Sequence, residues 1–282
     1  MKYSQRPKYE RRNETIAVLV MILLCIPVLF IYFSFFANAF ILDSTGELTL
    51  QNFQFLYQPI QLSQYTVEPI GKAFRNTVIF TAIATTLEVT ISCMAGYALA
   101  RMEFTGKRVI SFSLLTLRLF PGVLLLIGVL YVLLHLGILN TLTGVIVVAI
   151  ALRLPGSTFI IRNFFAGIPQ DIENSALVDG CNRLTAFFQV IIHMVKPGLA
   201  SISIFAFMSA WSNYLLFNVL IFNTKTPVLA TYLRVLSQND QMIADYGVFA
   251  AMAMVYMLPV LIFFFISQRQ LMQGTISGGK GI

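Results

Sequence analysis

Six long apolar stretches constrain what this chain can fold into more than any other feature. Each holds about 20 predominantly apolar residues, the length that an α-helix needs to cross the hydrocarbon core of a bilayer. The stretches cover residues 16–36, 76–100, 109–134, 143–161, 199–222 and 248–268. Because backbone groups in lipid must bond to one another, such stretches cross as helices. The sequence therefore predicts an all-α, polytopic membrane protein with six transmembrane helices.

The composition favours a membrane protein over a soluble domain. Hydrophobic residues make up 57% of the 282 residues, and charged residues make up 11%. A soluble globular domain carries about 25% charged residues. The sequence predicts a cytoplasmic N-terminal segment at 1–15, a six-helix transmembrane domain at 16–268 and a cytoplasmic tail at 269–282. Within the transmembrane domain, residues 162–198 are expected to form a cytoplasmic loop.

The distribution of positive charge predicts the orientation of the chain. If the N-terminus is cytoplasmic, the inner segments hold thirteen Lys and Arg residues and the outer segments hold four. Cytoplasmic loops of membrane proteins carry such an excess. Both termini are therefore expected in the cytoplasm. The net charge of +7 is explained by topology, and nucleic acid is not expected as a partner.

A polar segment between the fourth and fifth stretches holds three of the chain's twelve carboxylates: Asp171, Glu173 and Asp179. Asp171 can cap a short helix, on which Ile172 and Ala176 would share one face, with Glu173 and Leu177 beside them. Gly180 suits a left-handed stop, where the absence of Cβ permits a positive φ. A second amphipathic segment follows at 184–195. Two interpretations stay open: the loop is presented to a partner, or it is an interfacial helix that anchors the loop.

Two opposite charges lie inside neighbouring apolar stretches. Glu88 comes about twelve residues before the inner end of the second stretch, and Arg118 about ten residues after the inner start of the third. Both depths are about 15–18 Å at the helical rise. The sequence predicts an ion pair between Glu88 and Arg118, while a role in the pathway and no contact stay open. Arg153 has no evident partner, so it either snorkels or lines a pathway.

The fifth stretch carries an aromatic and amide group, Trp211, Asn213 and Tyr214. These side chains can line a substrate pathway and present an aromatic face and an amide to a sugar. The alternative is that Trp211 packs helices together. Four prolines inside apolar stretches are expected to kink their helices. They are Pro27, Pro121, Pro155 and Pro259.

Several motifs resemble the membrane-spanning permease subunits of binding-protein-dependent ABC importers. Gly96-Tyr-Ala-Leu-Ala-Arg-Met102 resembles the family's inner end of span two, and Ile161-Arg-Asn-Phe-Phe-Ala-Gly-Ile-Pro169 its approach to the coupling loop. Ser267-Gln-Arg-Gln-Leu271 and Ser277-Gly-Gly-Lys-Gly281 resemble the end of the oligosaccharide subclass, of the maltose-permease type. The likeness runs from about residue 70 to the end, and it implies the type I importer fold with both termini cytoplasmic.

The resemblance implies how the polar segment works. The family carries Glu-Ala-Ala-x-x-x-Gly there, and counting back from Gly180 puts the Glu on Asn174 and the Ala-Ala on Ser175 and Ala176. Glu173, one residue earlier, can supply the displaced carboxylate. The residues expected to couple to the ATPase are Asp171, Glu173, Ala176, Leu177, Asp179 and Gly180. The tail residues Gly278, Gly279 and Lys280 are expected to contact the ATPase, against a frayed terminus as the plainer alternative.

The partners follow from the same resemblance. They are ABC ATPase subunits, a second permease subunit that is a different chain, an extracellular substrate-binding protein, a sugar or oligosaccharide, and membrane lipid. The chain has no phosphate-binding Gly-Lys-Ser/Thr loop, so ATP and Mg are expected on the ATPase subunits, and this chain needs no cofactor and no metal. It is not expected to be an enzyme, and its expected place is the inner or plasma membrane of a prokaryote, as a multi-pass protein.

Two other functions stay open. One is import of a non-sugar solute, such as a glycerophosphodiester or a polyol, by the same kind of permease. The other is a secondary transporter, which would need coupling charges in several spans. A membrane enzyme is disfavoured, since the chain has two histidines, His135 and His193, and neither belongs to a metal-ligand or nucleophile–base pattern.

Overall fold

A computed structural model of the protein describes residues 8–42, 46–62, 65–222, 226–237 and 246–278. Long helices dominate this part of the chain. In chain order they are α1 (Lys8–Ala39), α2 (Gly71–Arg101), α3 (Lys107–Leu117), α4 (Gly122–His135), α5 (Leu142–Ala166), α6 (Gln170–Val178), α7 (Arg183–Ala186), α8 (Ile192–Met194), α9 (Lys196–Trp211), α10 (Tyr214–Leu220), α11 (Leu229–Ser237) and α12 (Tyr246–Gly278). A π-helical turn over Phe187–Ile191 joins α7 to α8. The predicted helical class is confirmed.

Four helices in the described residues are long and apolar enough to cross a membrane. They run over Thr15–Ala39, Gly71–Arg101, Leu142–Ala166 and Tyr246–Gln268, and so match the first, second, fourth and sixth predicted spans. A fifth is reached if Arg183–Met194 and Lys196–Trp211, which meet at a bend of 78°, form one span. The count of six and the cytoplasmic termini remain predictions.

The third and fifth apolar stretches are each split into two helices. In the third, α3 ends at Leu117 and α4 begins at Gly122, directly after Pro121. Proline has no N–H to continue the helical bonding, so a break there has a simple cause. In the fifth, α9 ends at Trp211, and the side-chain oxygen of Asn213 accepts from the Leu216 N–H at 3.3 Å to start α10. Asn213 is therefore a helix cap.

The other three prolines in apolar stretches leave their helices unbroken. Helices α1, α5 and α12 continue through Pro27, Pro155 and Pro259. Helix α12 also runs ten residues past the predicted end of the sixth span at 268, as far as Gly278. Gly279 and Lys280 of the predicted ATPase-contacting tail lie outside the described residues.

One compact unit comprises residues 1–69 and 235–257. It holds α1, a 3₁₀ turn at Gln51–Leu56 and a short antiparallel hairpin of β1 (Ile60–Leu62) and β2 (Tyr65–Val67). The buried Asn52 amide donates to the backbone oxygens of Ala39 at 3.1 Å and Ile41 at 2.9 Å. A Cβ on Gly247 would lie 2.3 Å from this amide, so glycine is required for α12 to approach so closely. The hairpin and the 3₁₀ turn add detail that the all-α prediction lacks.

A second compact unit comprises residues 70–234 and 258–282. Its centre is α2, which packs along α5 and α9. Gly96 of α2 allows this packing, since a Cβ there would lie 2.5 Å from the Ile161 side chain and 3.1 Å from the Arg162 backbone nitrogen. Gly198 at the start of α9 likewise lies against the ring of Phe164. Backbone contact at these glycines fixes α2, α5 and α9 as one packed group.

Candidate coupling helix and buried charge clusters

The polar segment forms the nine-residue helix α6, whose two ends have different causes. It begins after Pro169, and no side chain caps it. The expectation that Asp171 caps the helix is wrong, because Asp171 lies inside the first turn, where its charge suits the positive end of the helix dipole. At the other end, Gly180 has φ +92°, as predicted. The Gly180 and Cys181 N–H groups donate to Leu177 and Ala176 at 3.1 and 3.0 Å, which is the Schellman stop.

The outward face of α6 is bare in the described structure. It is formed by Asp171, Asn174, Ser175 and Val178, which follow the i, i+3, i+4, i+7 spacing of one helical face. Val178 is 87% exposed and is the apolar member of this face. These residues and Asp179 line a hollow of about 330 Å³. The face therefore presents one apolar side chain bordered by carboxylate, amide and hydroxyl groups.

The inward face of α6 carries Glu173 and Ala176, both buried, with Leu177 half-buried beside them. Glu173 is 2% exposed and accepts a hydrogen bond from the Tyr97 hydroxyl at 2.7 Å. The Arg101 Nε lies 3.6 Å from the other carboxylate oxygen. The Glu173 side chain is therefore turned onto α2 and away from the exposed face of α6, and its coupling to the ATPase remains a prediction.

Arg101 ties the start of α6 to α2 as well. Its guanidinium donates to the Gln170 side-chain oxygen and to the Ile168 carbonyl, both at 2.6 Å. We call the four side chains of Tyr97, Arg101, Gln170 and Glu173 the clamp. Tyr97, Arg101 and Gln170 were not anticipated as site residues, although Tyr97 and Arg101 are four residues apart on α2 and so share one face.

Aromatic rings close around the clamp. The Tyr97 ring lies 4.7 Å from that of Phe187 in the π-helical turn and 5.6 Å from that of Phe165 at the end of α5, centre to centre. Phe187 and Phe165 are buried. The second amphipathic segment predicted at 184–195 is therefore helical but interrupted by a π-turn, and the buried Phe187 of that turn packs against the clamp at Tyr97.

A second buried carboxylate lies deep in the packed helices. Glu88 of α2 accepts from the Arg153 Nε at 2.9 Å and from the Ser157 hydroxyl at 2.5 Å, both on α5. Arg153 also donates to the Phe205 carbonyl of α9 at 2.7 Å. We call Glu88, Arg153, Ser157 and the Phe205 carbonyl the membrane junction. It links α2, α5 and α9, and it supplies the partner that sequence reasoning did not find for Arg153.

The predicted pair of Glu88 with Arg118 is wrong. That prediction assumed that the second and third spans pack as a hairpin, but α2 packs on α5 and α9, while α3 packs on α5. Arg118 is exposed at the end of α3, with its guanidinium carbon 5.6 Å from the centre of the Phe159 ring. Arg118 thus makes a cation–π contact and leaves Glu88 to Arg153.

The aromatic group of the fifth stretch is divided between packing and surface. Trp211 is 3% exposed, lies parallel to the Phe207 ring at 5.9 Å and meets the Phe74 ring edge-on at 6.3 Å. It packs helices in this chain. Tyr214 is half-buried, with the Arg234 guanidinium 5.9 Å from its ring centre, and Asn213 is half-buried at its cap position. Asn213 and Tyr214 remain candidates for a pathway.

In the described residues no group of three His, Cys, Asp or Glu could hold a metal ion.

Taken together, the described residues form long helices of membrane-spanning length and one short polar helix with a buried face and an exposed face. Comparison with known proteins gives the family of the chain. Residues 88–276 match the family described as the binding-protein-dependent transport system inner membrane component. Because the match covers about two thirds of the chain, the chain belongs to this family, and it is a multi-pass component of the inner membrane.

Individual relatives align over nearly the whole chain. The diacetylchitobiose uptake system permease protein NgcG of Streptomyces coelicolor is 32% identical over 95% of this chain and 87% of its own. The maltodextrin transport system permease protein MdxG of Bacillus subtilis is 28% identical over 86% of this chain and 84% of its own. A chain in the crystal structure of a bacterial ABC transporter involved in alginate import superimposes with a TM-score of 0.76 at 18% identity, over 94% of this chain and 98% of that chain. The last comparison shows a common fold.

Proposed function

We propose that this chain is a transmembrane subunit of an ATP-driven importer. With a second permease subunit, a different chain, it forms the pathway for a sugar or oligosaccharide that an extracellular binding protein delivers. Family membership supports the transport role. The names of relatives support the sugar class, since they include permeases for diacetylchitobiose, trehalose and maltodextrin. Hydrolysis of ATP and binding of Mg belong to the partner ATPase subunits.

The observation that carries this proposal is the bare outward face of α6. Together with the family membership, an exposed face that combines carboxylates, polar groups and Val178, on a helix whose other face is buried, supports docking there. Asp171 and Asp179 can pair with cations at the rim of an ATPase cleft, and Val178 can fill its apolar centre. Asn174 stands where the family carries its Glu, on the outward face, and can supply amide hydrogen bonds there. The docking set is thus Asp171, Asn174, Ser175, Val178 and Asp179.

The other parts of the site have supporting roles. Ala176 and Leu177 seat α6 on the protein, and Gly180 turns the chain away from the docked partner. Asn213 and Tyr214 line the pathway near the helix break that follows Trp211. The tail with Gly278, Gly279 and Lys280 contacts the ATPase dimer.

Reconstitution tests the proposal. The chain is co-expressed with its partner permease, ATPase and binding protein, purified by a tag on this chain alone, and placed in proteoliposomes. We expect the ATPase to co-purify, and we expect a sugar with its binding protein to raise ATP hydrolysis and enter the vesicles. A secondary transporter would bring no ATPase subunit and would respond to an ion gradient. Stimulation by a polyol or glycerophosphodiester and by no sugar would contradict the sugar class and keep the permease role.

A further inference from the structure

We infer that the clamp makes α6 and α2 one mechanical unit, and that Glu173 is a positioning residue that carries the movement of the ATPase into the transmembrane helices. The inference deepens the proposed function and rests on it. It gives the buried carboxylate of α6 a role different from docking.

The first step is that the clamp is made of short, directional contacts between two helices. Glu173 binds Tyr97 through one oxygen and faces Arg101 through the other, at 2.7 and 3.6 Å. Arg101 reaches two further groups, at Gln170 and Ile168. These acceptors lie at the start of α6, on its first helical turn and just before it. Sliding or rotation of α6 against α2 would therefore break several contacts at once.

The second step is that these contacts are costly to break. Arg101 Nε and Glu173 Oε2, the carboxylate oxygen that faces it, are buried, and neither has a hydrogen-bond partner in the described structure. Their mutual ion pair is thus the compensation for their burial. The rings of Tyr97, Phe165 and Phe187 pack together beside this ion pair, while the Arg101–Gln170 hydrogen bond lies at the exposed edge of the clamp. A buried polar group without a partner is unfavourable, so α6 and α2 move together rather than apart.

The third step follows α2 inward from the clamp. Tyr97 is next to Gly96, where α2 touches the α5 backbone so closely that a Cβ would clash. Two and a half helical turns further along α2 lies Glu88, which binds Arg153 of α5 and through it the Phe205 carbonyl of α9. A rigid helix transmits displacement along its axis, and packed interfaces resist continuous deformation. Movement of α6 is thus delivered to α5 and α9, the helix that precedes the break at Asn213.

The plain alternative is that the clamp only holds the loop in its folded place. Both interpretations predict loss of stability when the clamp is removed. They differ in coupling, because a mere anchor affects ATP hydrolysis and transport in equal proportion. A transmitting clamp, once loosened, leaves the docking face on the ATPase and lowers the number of sugars moved per ATP hydrolysed.

Two conservative variants test the clamp. Tyr97→Phe removes the hydroxyl and keeps the ring, while Glu173→Gln removes the charge and keeps the shape. Each has a matched control on the same chain: Tyr131→Phe, at a tyrosine that is 60% exposed, and Glu103→Gln, at a carboxylate whose side chain is 88% exposed. The reconstituted complex is measured for ATPase retained, ATP hydrolysed and sugar transported.

We expect both clamp variants to retain the ATPase. We expect the number of sugars transported per ATP to fall by about tenfold or more, the factor that corresponds to the free energy of one hydrogen bond to a charged group. The double variant should lose no more than the worse single one, because the two groups act as a unit. The control variants should keep the wild-type ratio. A wild-type ratio in Tyr97→Phe and Glu173→Gln, or loss of the ATPase from these variants, would overturn the inference. A wild-type complex with no ATPase would instead refute the proposed function.

Discussion

The membrane junction and the clamp use the same chemistry in two different settings. In each, a carboxylate that is 2% exposed binds an arginine on a neighbouring helix and accepts a hydroxyl hydrogen bond. The junction is saturated: both oxygens of Glu88 are bonded, and Arg153 continues to a third helix. The clamp is looser, with its ion pair at 3.6 Å, and it sits under a helix with a bare outward face. A buried charge thus holds three long helices together in the first case, and in the second it holds the short polar helix α6.

The settings explain the difference. Within the membrane span, an unmet polar group has no water to bond, so evolution of a stable junction requires complete pairing. At the end of α2 the clamp lies against the polar helix α6. There the carboxylate, the arginine and the hydroxyl hold one face of α6 while its other face stays exposed. Three predictions test the junction, the α2–α5 contact and the end of α6, in order of decreasing effect on stability.

The largest effect is expected at the membrane junction. Arg153→Gln leaves the buried charge of Glu88 unpaired and should lower the free energy of unfolding by about 3–5 kcal/mol. Glu88→Gln leaves Arg153 bonded to the Phe205 carbonyl and should cost less, and the double change should cost less than Arg153→Gln alone. A thermal-shift series on the purified complex measures this. Arg118→Gln is the control, and with Glu88→Gln it should give additive losses, since Arg118 does not touch Glu88. Coupling of Glu88 with Arg118 instead would refute the junction.

The next effect concerns the contact of α2 with α5, between the two regions. Gly96→Ala would place a Cβ 2.5 Å from Ile161 and should lower stability by about 1–3 kcal/mol through overpacking. Gly128→Ala on α4 is the matched control, because nothing lies within 4 Å of its added Cβ. That control should be neutral or stabilising by about 1 kcal/mol, as alanine favours a helix. Equal melting temperatures for the two variants would show that α2 does not meet α5 so closely.

A smaller effect on stability, with a larger one on function, is expected at Gly180. Its φ of +92° costs about 1–2 kcal/mol for a residue with a side chain, although no atom lies within 4 Å of the added Cβ. Gly180→Val should leave the chain inserted and uncouple ATP hydrolysis from transport. Gly180→Asn, which tolerates the left-handed region, should retain most of the transport. Wild-type transport by Gly180→Val would identify the loop as an anchor.

Sequence patterns predicted the parts of this structure that depend on neighbours along the chain. Apolar length located the long helices, and Gly180 after a short polar helix predicted its stop. The partner of Glu88 was missed, because charge and depth do not tell which helix lies beside α2. The burial of Glu173 was missed for the same reason. A helical wheel places Glu173 near Ala176, but the sequence around α6 does not show that Tyr97 and Arg101 of α2 contact this face. Local sequence indicates where a helix begins and ends, but which helices are neighbours is decided by packing between distant segments.

The central claim is that α6 has one face for the ATPase and one face for α2, and thiol labelling tests it most directly. The three free cysteines, Cys25, Cys93 and Cys181, are changed to serine. A single cysteine is then placed at Val178 or at Ala176, on the outward and inward faces of the same helix. Labelling by a polar maleimide is compared with and without the bound ATPase. The account predicts that Val178→Cys reacts in the free chain and is protected by the ATPase, while Ala176→Cys reacts in neither state. Equal labelling of Val178→Cys in both states, or ready labelling of Ala176→Cys, would contradict it.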